Sequence, residues 1–408
     1  MEKDVSADNS FEIPIDLLQK CVKCGLCKSV CPTYRVNEEE RSFARGRLAL
    51  AQMVLSGELA LTKDVARQWD ECAMCRRCEW ICPNNVEYKE IMSKAKELQS
   101  NTLGKDPFKY TALSALELMQ TNVGRTVVKM AGSLLSLIPK KELKAYIPSG
   151  INGAVKFMPK PAKDAFGIRG QTFKTDKTPS KGTLLFFTGC MVDAFYTTTG
   201  KNAIKVLNKA GYDVIVPKDI KCCGAPHLYS GNIEAFNILK AKNQEEISKY
   251  NFDAIVVVCP TCGGALLEDY GYKNVLDFAS IVASSNDLVL KSKDNTSVTF
   301  HVPCHSYSAM KTPVSHFENA INKVENVQYK KASKAQSCCG FAGLFSMKNP
   351  ELSTAIQKEK MEDFKSTQAE YVLSACPGCV LQLQDGNLKF KNDQKIVHIA
   401  DFIANSIE

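Results

Sequence analysis

Ten of the chain's 18 cysteines write one five-cysteine pattern twice. The first copy is Cys190, the pair Cys222 and Cys223, then Cys259 and Cys262; the second is Cys304, the pair Cys338 and Cys339, then Cys376 and Cys379. The spacing nearly repeats: 32 positions from 190 to 222 against 34 from 304 to 338, and 36 from 223 to 259 against 37 from 339 to 376. Each half supplies five thiolates, one more than a tetrahedral zinc site or an ordinary cubane cluster uses. The surplus points to an unusual iron-sulfur cluster.

The other eight cysteines form a second repeat: Cys21, Cys24, Cys27, Cys31, Pro32, and then Cys72, Cys75, Cys78, Cys82, Pro83. This is bacterial two-cluster ferredoxin spacing, in which three cysteines surround one cubane and the fourth, before proline, reaches across to the other. The spacing therefore assigns Cys21, Cys24, Cys27 and Cys82 to one 4Fe-4S cluster, and Cys72, Cys75, Cys78 and Cys31 to a second. Zinc sites or disulfides would not call for two such runs, each ending in the proline mark.

The segment MEKDVSADNS has neither the basic region nor the apolar core of a secretory signal, and no stretch approaches the ~18 apolar residues of a membrane span. A cytoplasmic setting with reduced, metal-bound cysteines is expected. With 408 residues, 45% of them hydrophobic, the chain can bury two or three cores.

The net charge of +8 is local, because residues 101–181 hold 14 Lys and Arg against 5 Asp and Glu, which leaves the rest at −1 (8 − 9). Within that segment Val123, Val127, Met130, Ala131, Leu134 and Ile138 fall at helical spacing, Arg125 and Lys129 lie on other faces, and Pro139, Pro148, Pro159 and Pro161 then break the chain. Such a basic amphipathic helix either packs on its own core or docks on a partner or the anionic inner face of a membrane as a peripheral contact. Nucleic acid is not an expected partner, since no aromatic platform or recognition module accompanies the charge.

Each five-cysteine half alternates apolar runs with helical segments. Strands are expected at 183–188, 212–216 and 254–258 in the first half, with a helix at 203–210, and at 298–302 and 371–374 in the second. Such alternation implies a mostly parallel sheet, whose ligands gather beyond the carboxyl ends of its strands, so the cysteines can converge on one cluster per half. Gly224 and Gly340 follow the paired cysteines, where a tight turn around a cluster, or an ordinary loop, asks for glycine. The expected fold class is α+β: a helical two-cluster N-terminal domain (1–100), a basic helical linker (101–181), and two α/β cysteine-rich domains (182–290 and 291–408).

The runs CVKCGLCKSVCPTYRV, ARGR, CCGFAGLFSMKNPELS and CPGCVLQLQDG, spread over nearly the whole chain, resemble the iron-sulfur subunit of glycolate oxidase. The same layout is shared by iron-sulfur subunits of lactate utilisation and of anaerobic glycerol-3-phosphate dehydrogenase, and the five-cysteine motif, the CCG domain, is similar to that of heterodisulfide reductase, whose halves hold noncubane 4Fe-4S clusters. The resemblance implies an electron-transfer subunit of a flavin-dependent 2-hydroxy-acid (glycolate or lactate) oxidoreductase, with an FAD-containing partner subunit and a quinone or other acceptor. A heterodisulfide-reductase-like catalyst or a glycerol-3-phosphate dehydrogenase subunit is the alternative it leaves.

Two departures from the family pattern stand out. Ala44 replaces the usual proline before Arg45, Gly46 and Arg47, and both CxxC pairs are complete, where the glycolate oxidase branch often lacks repeat cysteines. A noncubane cluster in one or both halves is implied, with zinc in one half still open. No GxGxxG follows a strand and no Walker loop is present, so flavin and NAD are expected on a partner, not here. His227 and His305 lie near repeat cysteines, either to tune a cluster or as ordinary core or surface histidines. Arg76 and Arg77 either favour a cluster's reduced state or face a partner.

Overall fold

The computed structural model describes residues 15–118, 121, 124 and 167–407. Apart from Gly124, the amphipathic run from Val123 to Ile138 lies outside the described residues.

The N-terminal unit is helical. Its longest helices are Ala44–Leu55 and Tyr88–Leu103, with Lys63–Asp70 packed between them. Thr62 caps the last of these, its Oγ1 accepting from Val65 N at 3.4 Å, which contributes about 1 kcal/mol. Ile91, Met92 and Ala95 repeat on one face of Tyr88–Leu103 and close over the wholly buried Trp69 and Ala51. Such a small core can be this thin because the cysteine loops lie against it.

The two cysteine-rich halves are two copies of one sheet plan. In the first, β1 (Gln171–Phe173), β2 (Thr183–Phe186), β3 (Asp213–Val216), β4 (Ala254–Val257) and β5 (Val275–Asp277) stand in the order β1-β3-β2-β4-β5. In the second, β6 (Leu290–His301), β7 (Val324–Tyr329), β8 (Tyr371–Ser374) and β9 (Lys395–His398) stand as β7-β6-β8-β9. All neighbours are parallel except β1, an antiparallel edge strand on β3. In each half the parallel strands start at an inner one (β2 or β6) and wind first one way and then the other, and this reversal opens a crevice at the carboxyl ends of the strands. Every repeat cysteine follows one of the three strands around that crevice.

The halves pack on each other. Asp401 accepts from Thr199 Oγ1 (2.7 Å) and Asn202 Nδ2 (2.8 Å), and His398 Nε2 donates to the Val258 carbonyl (3.0 Å). The helical unit sits against both. Arg76 pairs with Glu79 and Glu268, and Lys89 reaches Asp269 at 2.6 Å, which fastens it to the first half. Lys348 of the second half bridges Asp70 (2.8 Å) and Asp106 (2.6 Å), and Trp80 stacks edge-on against Tyr307.

Candidate functional site

All 18 cysteines are free thiols. In the helical unit they line two adjoining cavities. Cys21, Cys24, Cys27 and Cys82 border the first, joined by Cys78. Cys31, Cys72, Cys75 and Cys78 border the second. Cys24 is exposed, whereas Cys75 is buried.

The Ala44, Arg45, Gly46, Arg47 run explains how these loops are held. Arg45 Nη1 donates to the Lys23 carbonyl in the first loop at 2.9 Å. Arg47, 1% exposed, donates from Nε to the Gln68 carbonyl (2.7 Å) and from Nη2 to the Glu71 carbonyl (3.1 Å) and Thr33 Oγ1 (3.2 Å). One guanidinium thus fixes the chain entering Cys72 and the chain leaving Cys31. Although burial opposes it, Arg47 and Lys96 hold the Cys72 thiol below its ordinary range.

The repeat thiols lie in one unbroken line of sulfur contacts. Cys190 meets Cys222, Cys222 meets Cys223, Cys223 meets Cys262 and Cys262 meets Cys259. Cys259 then crosses to Cys376 of the other half. From Cys376 the line passes to Cys379, to Cys339 at 3.3 Å, to Cys338 and to Cys304. Cys338 also meets Cys75 of the helical unit. Neighbouring thiols cannot all ionise together, so hydrogen bonds from adjacent thiols hold Cys222, Cys259 and Cys339 well below the usual range while Cys190, Cys262 and Cys379 are pushed well above it. Metal ions that replace these protons remove the conflict.

Gly224 and Gly340 both take left-handed backbone, with φ of 78° and 88°. A Cβ at Gly224 would lie 2.6 Å from the Phe236 ring, and one at Gly340 would lie 2.8 Å from the Ser353 carbonyl. Both turns therefore require glycine.

Residues 17–86 match the family model of a 4Fe-4S dicluster domain, and residues 184–267 and 298–384 each match that of a cysteine-rich domain, CCG. The sequence is 28% identical to a probable glycolate oxidase iron-sulfur subunit of Bacillus subtilis, over 95% of this chain and 93% of the relative. It is 24% identical to the glycolate oxidase iron-sulfur subunit of Escherichia coli, over 90% of each. The chain is a homologue of glycolate oxidase iron-sulfur subunits. It is also 22% identical, over 99% of its length and 97% of the relative's, to a heterodisulfide reductase subunit of Methanosarcina barkeri. In this homologue the dicluster match contains all eight N-terminal cysteines, and each CCG match contains all five of its half.

The surroundings of the thiols fit iron-sulfur clusters, whose thiolates bring negative charge. Arg77 is 9% exposed, and its Nε and Nη1 are buried without a hydrogen-bond partner. Lys360 is 1% exposed, its Nζ donates to the Ala335 carbonyl (3.0 Å) with the Asp363 carboxylate 3.9 Å away, and burial pushes its ammonium down to about 7. Buried cations of this kind need anionic company. Arg76 and Arg77 are therefore interior groups and not an outward-facing patch.

His305 holds three cysteine loops together. Its Nε2 donates to the carbonyl of Met74, between Cys72 and Cys75, at 2.9 Å, and its Nδ1 faces Thr261 Oγ1, between Cys259 and Cys262, at 2.8 Å. Burial pushes its ring down to about 4, so it is neutral and Nδ1 accepts from the Thr261 hydroxyl. His227 is buried as well, with Nε2 2.7 Å from Glu117 Oε1.

Sequence reading missed His301, which lies three residues before Cys304. It is wholly buried, at most one of its nitrogens is engaged, by the Ala335 carbonyl, and a ring nitrogen lies within 4.8 Å of both Cys339 Sγ and Cys379 Sγ. The signal was available by aligning the two halves on their first cysteines, which sets His301 opposite Phe187.

Proposed function

We propose that this chain is the iron-sulfur electron-transfer subunit of a flavin-dependent 2-hydroxy-acid oxidoreductase of the glycolate or lactate type. The observation that carries this reading is the continuous line of cysteines, from exposed Cys24 through the two N-terminal cavities and across Cys75 and Cys338 into both repeats. Cys21, Cys24, Cys27 and Cys82 would hold one 4Fe-4S cluster, and Cys31, Cys72, Cys75 and Cys78 a second. Cys190, Cys222, Cys223, Cys259 and Cys262, and likewise Cys304, Cys338, Cys339, Cys376 and Cys379, would hold a noncubane cluster in each half. When bound, such clusters supply one-electron carriage.

The protein's own part is positional. Arg45 and Arg47 fix the N-terminal loops, His305 fixes the second N-terminal loop against both repeats, and the packed sheets keep water from the inner thiols. Removing an electron pair from a 2-hydroxy acid is flavin chemistry, so the FAD belongs on a partner subunit and a quinone or other acceptor receives the electrons. Among the described residues no helix is long and apolar enough to cross a membrane; a cytoplasmic complex, docked peripherally at the membrane through the basic segment, suits this role. The proposed units are 1–100, 101–181, 182–290 and 291–408, except that β1 at 171–173, inside the expected linker, belongs by its pairing with β3 to the first cysteine-rich half.

Deleting this chain from the complex tests the reading. Substrate should still reduce the partner's flavin while acceptor reduction is lost; loss of flavin reduction as well would show that the role is not wiring. A second reading, disulfide cleavage at a repeat cluster, is favoured by one observation, that both five-cysteine sets are complete and meet at Cys259 and Cys376. A disulfide substrate that changes the EPR signal of the repeat clusters would select it.

A further inference from the structure

The two cysteine-rich halves share a plan but not a lining. With the halves aligned on Cys190 and Cys304, Leu185 and Phe187 of the first correspond to Thr299 and His301 of the second. Aligned on Cys259 and Cys376, Val257 corresponds to Ser374. Thr299 and His301 are two apart on β6, and His301 is the register partner of Ser374 on β8, so the three share one sheet face. Each is wholly buried, the Thr299 and Ser374 hydroxyls have no hydrogen-bond partner, and of His301's two ring nitrogens at most one is engaged, by the Ala335 carbonyl. The matching face of the first half is an apolar cluster in which Leu185, Phe187 and Val257 pack with Cys223 and Cys262.

Unpartnered polar groups gathered on one buried face imply a polar occupant. The nearest ligating atoms identify it, since a His301 ring nitrogen, Cys339 Sγ and Cys379 Sγ all lie within 4.8 Å of one another. Metal-to-sulfur bonds of about 2.3 Å and metal-to-nitrogen bonds of about 2.1 Å allow one ion to be shared across such a spread. Zinc would use four ligands, whereas this half offers five thiols and an imidazole, a supply that suits a multi-iron centre.

We propose that His301 is a nitrogen ligand to one iron of the centre in the second repeat, beside Cys339 and Cys379, and that the first repeat, with Phe187 in the same place, is ligated by sulfur alone. The two repeat centres are then chemically different. An imidazole in place of a thiolate raises a cluster's potential, so exchanging His301 for cysteine should lower it. This inference rests on the reading that the second repeat holds an iron-sulfur centre.

The test uses full-length protein purified anaerobically with its clusters, carrying 15N-labelled histidine, and examined by pulsed EPR after stepwise reduction. A directly bound histidine nitrogen should couple strongly to one repeat centre. His301→Cys, which offers sulfur in place of nitrogen, should keep the iron, abolish the coupling and lower that centre's midpoint potential; His301→Phe, which copies the first half, should abolish the coupling too. A fully loaded wild-type protein with no histidine coupling, or only the weak coupling of a hydrogen bond, overturns the inference alone. Coupling that persists in His301→Cys also overturns it, because the nitrogen then belongs to another histidine. Iron, sulfide and zinc counts on the same samples address the underlying reading: zinc in the second half, or iron sufficient only for the eight N-terminal cysteines, overturns that reading and this inference with it.

Discussion

His305 shows how one side chain can matter to several cysteine loops. Its two ring nitrogens fix Met74 and Thr261, each lying inside a different CxxC, and its own backbone follows Cys304. Replacing it with alanine deletes two hydrogen bonds and leaves the Met74 carbonyl unsatisfied, at a combined cost of about 2–4 kcal/mol. The expected result for His305→Ala is a lower melting temperature together with lost iron, with the first N-terminal cavity spared because neither bond touches it. Iron per chain, read beside the EPR signals of the separate clusters, checks this. If iron falls equally from every site, the effect is global unfolding and not loosening of these loops. Its proximity to Cys304 was legible in the sequence, but its partners 231 and 44 positions away were not, because only the packed chain brings Met74 and Thr261 to one ring.

At the scale of elements, the inner strands were legible and the outer ones, including β7 before Cys338 and Cys339, were not. β2, β4 and β8 are short, mostly buried runs with an aliphatic centre that end two to four positions before a cysteine, so burial wrote them plainly. β7 and β9 carry exposed charged residues, β5 is three residues long, and β1 lies in the segment that reads as linker; pairing with a neighbour, not hydrophobic pattern, makes these strands. β5 also sets a testable pH dependence. Its last residue, Asp277, caps the helix Phe278–Ser284 by accepting from Ala279 N at 2.8 Å, but its Oδ2 is buried with no partner. Burial pushes this carboxyl from 3.8 up to about 7. The folded state therefore holds the proton more tightly than the unfolded state, and stability falls as pH rises from about 4 to about 7, by roughly 2–4 kcal/mol. Asp277→Asn keeps a capping oxygen and loses the titration, so its melting temperature should exceed that of the wild type at pH 8 and converge with it near pH 4. An unchanged gap across that range would remove Asp277 as the cause.

Across the whole molecule, separation in sequence is not separation in space. The cysteine count and spacing divide the chain into an N-terminal set and two repeat sets, and on sequence alone a serine at Cys259 or Cys376 should damage one repeat cluster and spare the N-terminal pair. The fold joins these sets at two points. Cys259 touches Cys376 between the halves, and Cys75 touches Cys338 between the helical unit and the second half. Around the second contact Ser308 Oγ donates to the Cys75 carbonyl at 3.2 Å, and Arg77 lies buried with two unpartnered nitrogens, so a change at Cys75 is felt in a dry, low-dielectric seam where electrostatic effects are strong. Cys75→Ser should therefore alter the EPR signal and lower the iron content of the second repeat as well as of the second N-terminal site. Cys24→Ser, at an exposed position bordering only the first cavity, should affect that site and leave both repeats as they were. The pair of variants separates the two ideas. If Cys75→Ser leaves the second repeat's signal and iron unchanged, the seam is a packing contact only, and the path for electrons between the helical unit and the repeats has to be sought elsewhere.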